Sequence, residues 1–325
     1  MLLYVLSKIL QVENLRKHFT KKNWFGRQSA LVRAVDDVSF DVIEGESFVL
    51  AGESGSGKST IAKIILRAIE PDGGKIIFDG SEITSKKEDL KKIRMGCQMI
   101  YQDPYDSINP QMKVRDIVAE PLEIHRVGKA AQRVEMVQQV LRKVKLEPAD
   151  SIMEKYPHEL SGGQRQRVVL ARALILKPKI IIADEPVSML DVSIRAEILE
   201  LMENLRKEHG ITFVYITHDL ATARYFGTTI GILYLGKLVE IGPINDVLSS
   251  PKHPYTQALL DALLEPDPKN LHSERMIRIK EPSKIDVYSG CRFRARCPYA
   301  FDKCETEPGL EDIGARKVAC FAKLD

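Results

Sequence analysis

GESGSGKST, Gly52 to Thr60, follows the short apolar run Ser47-Phe-Val-Leu-Ala51 and precedes a stretch with helical apolar spacing. A strand that ends in GxxxxGK[ST] and passes directly into a helix reads as a P-loop. Glycines at 52, 55 and 57 permit a turn that residues with side chains make only at a cost. The backbone amides from Gly55 to Ser59 then converge on a phosphate at the positive end of the helix. Lys58 reaches the β and γ phosphates as a point charge, and Ser59 is placed to hold Mg²⁺. Everything else that can be assigned lies where the surroundings of a bound nucleotide require it.

Upstream, the pattern from Ile9 to Leu50 is β, with one run over Ile9 to Leu15 and another over Leu31 to Asp41. Phe19 closes the first run and is suited either to the core or to stacking on a base. Trp24 and Phe25 read as loop anchors or partner contacts. Downstream, Pro71 to Gly80 has a hairpin signature, Lys86 to Arg94 a charged helical one, and Met95 to Tyr101 reads as a buried strand. That strand delivers Gln102 at its C-terminal end, where ligand-facing groups sit in an open α/β sheet.

Residues 104 to 177 turn helical, with Pro104, Pro110 and Pro121 punctuating the start and apolar positions at 134, 137, 141 and 144 within Ala130 to Val144. They end in Leu160-Ser-Gly-Gly-Gln164. Ser161 is placed as an N-cap, while Gly162 and Gly163 leave amides uncovered at a helix N-terminus. With Gln164, Arg165 and Arg167 following, this reads as a second anion site. Ile180 to Ala183 is a continuous apolar run of parallel-sheet type that delivers Asp184 and Glu185. Asp184 suits Mg²⁺ and Glu185 suits a general base acting on water. Asp191 follows, and His218 sits just past the next strand, Thr212 to Ile216. Thr229 to Tyr234 and Lys237 to Ile241, turned by Leu235-Gly236, predict a final hairpin.

Composition bounds the alternatives. The 325 residues are 44% hydrophobic, enough for a substantial core, and a net charge of +3 from 48 basic and 45 acidic residues carries no nucleic-acid footprint. No apolar run approaches the 18 or so residues of a membrane span, and the start of the chain lacks a signal-peptide cleavage pattern. The expectation is a soluble cytoplasmic chain that can still dock on a membrane protein. Of five cysteines, Cys97 falls in a predicted core strand, while Cys291, Cys297, Cys304 and Cys320 crowd the C-terminal end. Disulfides are not the expectation in a reducing compartment. Such a segment, short and charged, suggests a metal staple, and the spacing lacks the C-x₂₋₄-C knuckles of most zinc sites.

Assembled, residues 8 to about 250 resemble the ATP-binding subunit of ABC transporters, because the P-loop, Gln102, LSGGQ, Asp184-Glu185, Asp191 and His218 occur in that family's order and spacing. Met189 departs from the small residue usual there. The resemblance implies an α/β fold: a P-loop NTPase ABC cassette with a RecA-like core, an antiparallel β subdomain and a helical subdomain inserted at 103–177. A cysteine-containing C-terminal extension, 251–325, follows the nucleotide-binding domain, 1–250. It further implies ATP held by Phe19, Gly52, Ser54, Gly55, Ser56, Gly57, Lys58, Ser59, Thr60, Gln102, Asp184 and Asp191, with Ser161 to Gln164 closing over the nucleotide of a second cassette. Mg²⁺ would sit at Ser59, Gln102 and Asp184, and hydrolysis would need Glu185, His218, Lys58 and Gln102.

Tyr101 to Pro110, Asp191-Val-Ser193, His253 to Leu259 and the tail GCRFRARCPYAFDKC, 290–304, narrow the resemblance to the oligopeptide and dipeptide import branch, and to its second ATPase subunit. Related importers take nickel or oligosaccharides. The implied partners are a paralogous ATPase subunit, two membrane permeases docked near Tyr105 to Met112, and indirectly an extracytoplasmic binding protein. The place implied is the cytoplasmic face of the membrane. Some members of the branch carry a 4Fe-4S cluster in this tail, which favours iron–sulfur over zinc on the four cysteines. A soluble ABC ATPase of DNA repair or translation is the alternative class, and tandem cassettes or a long coiled-coil insertion would mark it.

Overall fold

In the computed structural model, residues 7–22, 28–262, 279 and 288–322 are described; Trp24 and Phe25 lie outside them. The chain divides into two compact units, one of Met1–Leu10, Val42–Ser47 and Ile77–Ile216, the other of Gln11–Asp41, Phe48–Ile76 and Thr217–Asp325.

In the first unit the strands Cys97–Ile100, Ile180–Asp184 and Thr212–Thr217 pair side by side in parallel. The latter two are buried along their whole length. Unbroken apolar runs are what parallel strands covered on both faces require. Between the first two strands the chain is helical, as expected: Val114–Ile124, Ala130–Lys143 and Gly162–Leu174 pack on one another. Their shared core takes Val118, Leu122, Val137, Leu141, Val168 and Leu174. One expectation fails. Pro121 does not punctuate the start of this region but lies inside the helix Val114–Ile124. Proline removes a helical N–H and crowds the carbonyl four residues back. Here buried Ile117, Val118 and Leu122 on both sides of it hold the helix together regardless.

The second unit contains nearly all of two long strands, Lys8–Lys22 and Gln28–Ile43, which run well beyond the shorter segments expected from periodicity, with Gly73–Phe78 on the far side of the first. Phe19 is therefore inside a strand and does not end one. Its other sheet runs from Ser47–Ala51 through Thr229–Tyr234 (parallel) and Lys237–Pro243 (antiparallel) to Arg316–Val318 and Glu311–Ile313. The expected hairpin turn is present, with Leu235 and Gly236 both at positive φ (44° and 82°).

Among the described residues, the chain beyond residue 250 packs on the second unit's sheet and builds no separate core. It lends two strands to this sheet and inserts Phe293 among Tyr234, Tyr255 and His253, with ring centroids 5.4, 5.5 and 6.0 Å away. The fully buried carboxylate of Glu240 ties it down, accepting from the amides of Lys252 and His253 (both 3.0 Å) and from Arg316 Nη1 at 3.4 Å.

His253 is buried and caps the helix Pro254–Asp261, its Nδ1 accepting the amide of Tyr255 at 3.0 Å. Burial pushes its pKa down from 6.5 to about 3. The unfolded chain therefore binds a proton that the folded state refuses, so stability is lost as pH falls below about 6.5 and keeps falling toward pH 3. In His253→Asn, which can still cap, the melting temperature should fall less between about pH 7 and pH 4 than in the wild type. Parallel melting curves for the two proteins over that range would contradict this.

Candidate functional site

The phosphate loop lies wholly in the second unit. The strand Ser47–Ala51 is buried throughout, and the helix Lys58–Ile65 starts at Gly57, whose φ of 110° puts it in the left-handed region. The glycines are needed for packing as well as for backbone freedom. A Cβ on Gly52 would stand 2.1 Å from the carbonyl oxygen of Leu233, and one on Gly57 would stand 2.1 Å from that of Ala34. Ser56 is buried beneath the loop, and its carbonyl accepts the amide of Gly236 at 2.7 Å. Ser54, Gly55 and Ser59 are exposed on the open side, with Thr60 half-buried behind them.

Lys58 is buried, and its ammonium donates to the carbonyls of Gly52 (2.7 Å) and Glu53 (2.9 Å). An ammonium bent back on carbonyls of its own loop lies among the groups that would surround a phosphate. Phe19 is 39% exposed, with the Lys17 ammonium 5.7 Å from its ring centre. Exposure removes the core alternative for this ring and leaves a face open to stacking. His218, also exposed, follows the strand Thr212–Thr217. The next residue, Asp219, is fixed by Thr217 Oγ1 (3.0 Å) and caps the helix Leu220–Phe226.

Within the first unit two strand ends bring Gln102 and Glu185 together, the Gln102 amide donating to Glu185 Oε2 at 2.9 Å. Glu185 sits at φ 48° directly after buried Asp184, and its amide bonds the carbonyl of Ile216 at 2.9 Å. A left-handed conformation at a non-glycine residue is costly and collects at sites where direction matters. The turn that follows is laced by Ser188 Oγ to the Glu185 carbonyl (3.0 Å) and by Arg195 to the carbonyls of Ser188 and Leu190. It leaves Asp191 exposed between Met189 (60% exposed) and Val192 (80%). The Asp184 carboxylate and the Gln102 amide oxygen are hard donors of the kind Mg²⁺ takes alongside phosphate oxygens.

LSGGQ forms the expected helix start. Ser161 Oγ accepts the Gln164 amide at 3.3 Å, and Gln164 Oε1 accepts the Ser161 amide at 3.0 Å. Gly163 is obliged to be small, because a Cβ there would stand 2.8 Å from Ile194 Cγ2. The arginines expected beside this N-terminus turn elsewhere: Arg165 bonds the carbonyl of Pro157 (2.6 Å), and Arg167 that of Val144 together with Glu197. Arg165 Nε and both Arg167 Nη groups are engaged in this way, while Ser161 and the first amides of the helix lie at the terminus itself.

The four C-terminal cysteines line one small cavity together with His253, Phe293 and Tyr299. No disulfide joins any cysteine of the chain. Burial pushes the Cys291 thiol up to about 11 and that of Cys320 upward as well. Cys97, in its strand, is buried and raised by burial alone, as expected of a core residue. Among the described residues no three His, Cys, Asp or Glu side chains close around one point as a single metal ion requires. Sequence reasoning missed one feature of the phosphate loop. The Glu53 amide donates to Tyr255 Oη at 2.9 Å, and its carboxylate faces Arg296. Both partners lie in motifs already noted, at 253–259 and 290–304, but a motif does not say what it touches.

Comparison with known proteins shows the family. Residues 35–188 match the family "ABC transporter", and residues 239–304 match "Oligopeptide/dipeptide transporter, C-terminal region". The chain is similar to a probable peptide ABC transporter ATP-binding protein of Sinorhizobium fredii, 43% identical over 319 residues that cover 97% of this chain and 90% of the relative. It is also similar to the oligopeptide transport ATP-binding protein OppF of Escherichia coli, 41% identical over 98% of this chain and 96% of the relative. Among solved structures it resembles a dimeric ATP-binding cassette in a post-hydrolysis state bound to ADP and Pi. That match has a TM-score of 0.63 and 30% identity, and covers 72% of this chain and 98% of the other. With its phosphate loop, LSGGQ and paired carboxylates in place, the chain belongs to the ABC transporter family, among the ATP-binding subunits that carry the oligopeptide/dipeptide-type C-terminal region.

Proposed function

We propose that this chain binds and hydrolyses ATP to drive import of peptides through an ABC transporter, with the Gln102–Glu185 contact marking the hydrolytic end of the site. The observation that carries the reading is that contact: a carboxylate held at positive φ and oriented by an amide at the ends of two parallel strands. Lys58, the loop amides and Thr60 bind the phosphates, Ser59, Asp184 and Gln102 hold Mg²⁺, and Phe19 stacks on the adenine. Glu185 takes the proton of the attacking water, while His218 and Asp191 complete the set. Mg²⁺ supplies charge neutralisation at the β and γ phosphates. Peptide as cargo rests on the names of the relatives.

The working unit is a pair of cassettes, in which Ser161 to Gln164 close over the nucleotide of the paralogous partner. Met189 and Val192, apolar and exposed on either side of Asp191, support a partner surface there. Asn109 to Gln111, exposed beside buried Ile108, support a fixed permease-docking loop. Among the described residues no helix is long and apolar enough to cross a membrane, so attachment would come through such permeases.

The C-terminal segment, taken from residue 251, holds a Cys₄ iron–sulfur cluster on Cys291, Cys297, Cys304 and Cys320. Zinc needs four donors about 2.3 Å from one point, whereas a cluster spreads its four sulfurs around several metal atoms and suits thiols that share a cavity. Its work is structural. Cys291 and Cys320 must give up protons that burial makes them keep, and a bound cluster supplies that drive.

Glu185→Gln keeps the size and a hydrogen bond but not the basicity, so steady-state ATPase should fall roughly 10²- to 10⁴-fold with ATP binding retained. Turnover near wild type would remove Glu185 from its role. In a mixture of Lys58→Ala chain with an intact partner subunit, where only the partner's P-loop works, adding Ser161→Arg should abolish the remaining activity. Undiminished activity in that mixture would exclude closure in trans. Protein purified without oxygen should be brown with about four irons per chain, and Cys297→Ser should lose them; a colourless, iron-free preparation would end the cluster assignment.

A further inference from the structure

The phosphate loop carries an acidic residue, Glu53, at its second position. A carboxylate within a few residues of a site for polyphosphate opposes its ligand unless its charge is offset. The offset comes from the far end of the chain. Arg296 meets Glu53 in a forked ion pair, Nη1 at 3.2 Å from Oε2 and Nη2 at 3.2 Å from Oε1. It is also held by Tyr234 Oη at 3.4 Å and lies over the Phe293 ring. The Glu53 amide is taken up by Tyr255 Oη, so this one residue is gripped at both its backbone and its side chain.

A second line from the same segment reaches the other shoulder of the loop. The Arg292 side chain, 3% exposed, binds the Asp36 carboxylate and the Leu235 carbonyl. Asp36 donates its amide to the carbonyl of Gly236 (2.9 Å), and Gly236 donates its amide to Ser56 (2.7 Å). Both arginines belong to the turn that carries the cysteines. Arg292 directly follows Cys291, and the amides of Arg296 and Cys297 both bond the carbonyl of Phe293 at 2.9 Å.

We propose that Arg296 is a positioning residue of the phosphate loop, which fixes and neutralises Glu53, and that through it the cysteine-lined turn and the bound nucleotide influence each other. The proposal rests on the reading of Gly52 to Thr60 as the ATP phosphate site. A forked guanidinium–carboxylate pair sets direction as well as charge, and linkage makes the effect mutual: what firms the turn favours nucleotide, and nucleotide firms the turn.

The test uses the full chain and equilibrium titration with MgATP. Lys58→Ala should abolish binding. Arg296→Ala should weaken binding roughly 5- to 20-fold, the lower part of the range for coupled sites, and Arg296→Lys should weaken it less. Adding Glu53→Gln to Arg296→Ala should restore most of the loss, because the uncompensated charge is then gone. A role confined to folding would not give that recovery. Hydrogen exchange in residues 291–297 should slow on adding MgATP to the wild type and not to Arg296→Ala.

Wild-type affinity in a folded Arg296→Ala, or no recovery with Glu53→Gln, overturns the proposal while leaving the phosphate site intact. Persistent binding in Lys58→Ala overturns the site reading and the proposal with it. Should Arg296→Ala fail to fold, the exchange measurement on wild type decides alone, and unchanged protection of 291–297 counts against the proposal.

Discussion

Two carbonyl oxygens, of Leu233 and Ala34, press against the phosphate loop so closely that no Cβ fits at Gly52 or Gly57. The glycine pattern is thus imposed from outside the loop as much as by its own turn. With its back held by the strands Thr229–Tyr234 and Gln28–Ile43, the loop can present its amides on the opposite side only. Lys58 is then confined beneath that surface by the carbonyls it bonds. A preformed cradle of this kind costs little to organise when a ligand arrives, which is where pre-organisation adds to affinity.

Much of this was legible in the sequence because it is written in short-range pattern. Buried parallel strands announce themselves as unbroken apolar runs, and Ile180 to Ala183 could hardly be anything else. The residue that ends such a strand is directed by the backbone, so Gln102 and Glu185 could be placed at strand ends before any contact was known. Ser161 as a cap follows from the chemistry of its hydroxyl next to two glycines.

What was hidden depends on partners far away in the chain. The turn of Arg165 and Arg167 away from the LSGGQ terminus is decided by carbonyls at Pro157 and Val144. Pro121 reads as a breaker in isolation, and only the buried neighbours on the same helix overrule it. The openness of Phe19 is likewise a property of what fails to cover it. The grip on Glu53 joins it to Tyr255 and Arg296, 202 and 243 positions further along the chain. No local window contains both ends of such a contact.

The short strand Arg316–Val318 has a consequence for how the protein behaves in solution. It pairs with Lys237–Pro243, a strand that would otherwise end the sheet with its backbone groups unmet, and the amide of Ala319 continues the pairing to the carbonyl of Val239 at 2.8 Å. The outermost place passes to Glu311–Ile313, three exposed residues of which two are acidic. An open edge is a template for joining to other chains, and a short, charged final strand blunts it. The last few dozen residues therefore act as a guard against self-association. A chain shortened to the cassette alone would leave the backbone of Lys237–Pro243 bare along this edge, and its expected tendency to aggregate is greater than that of the longer chain.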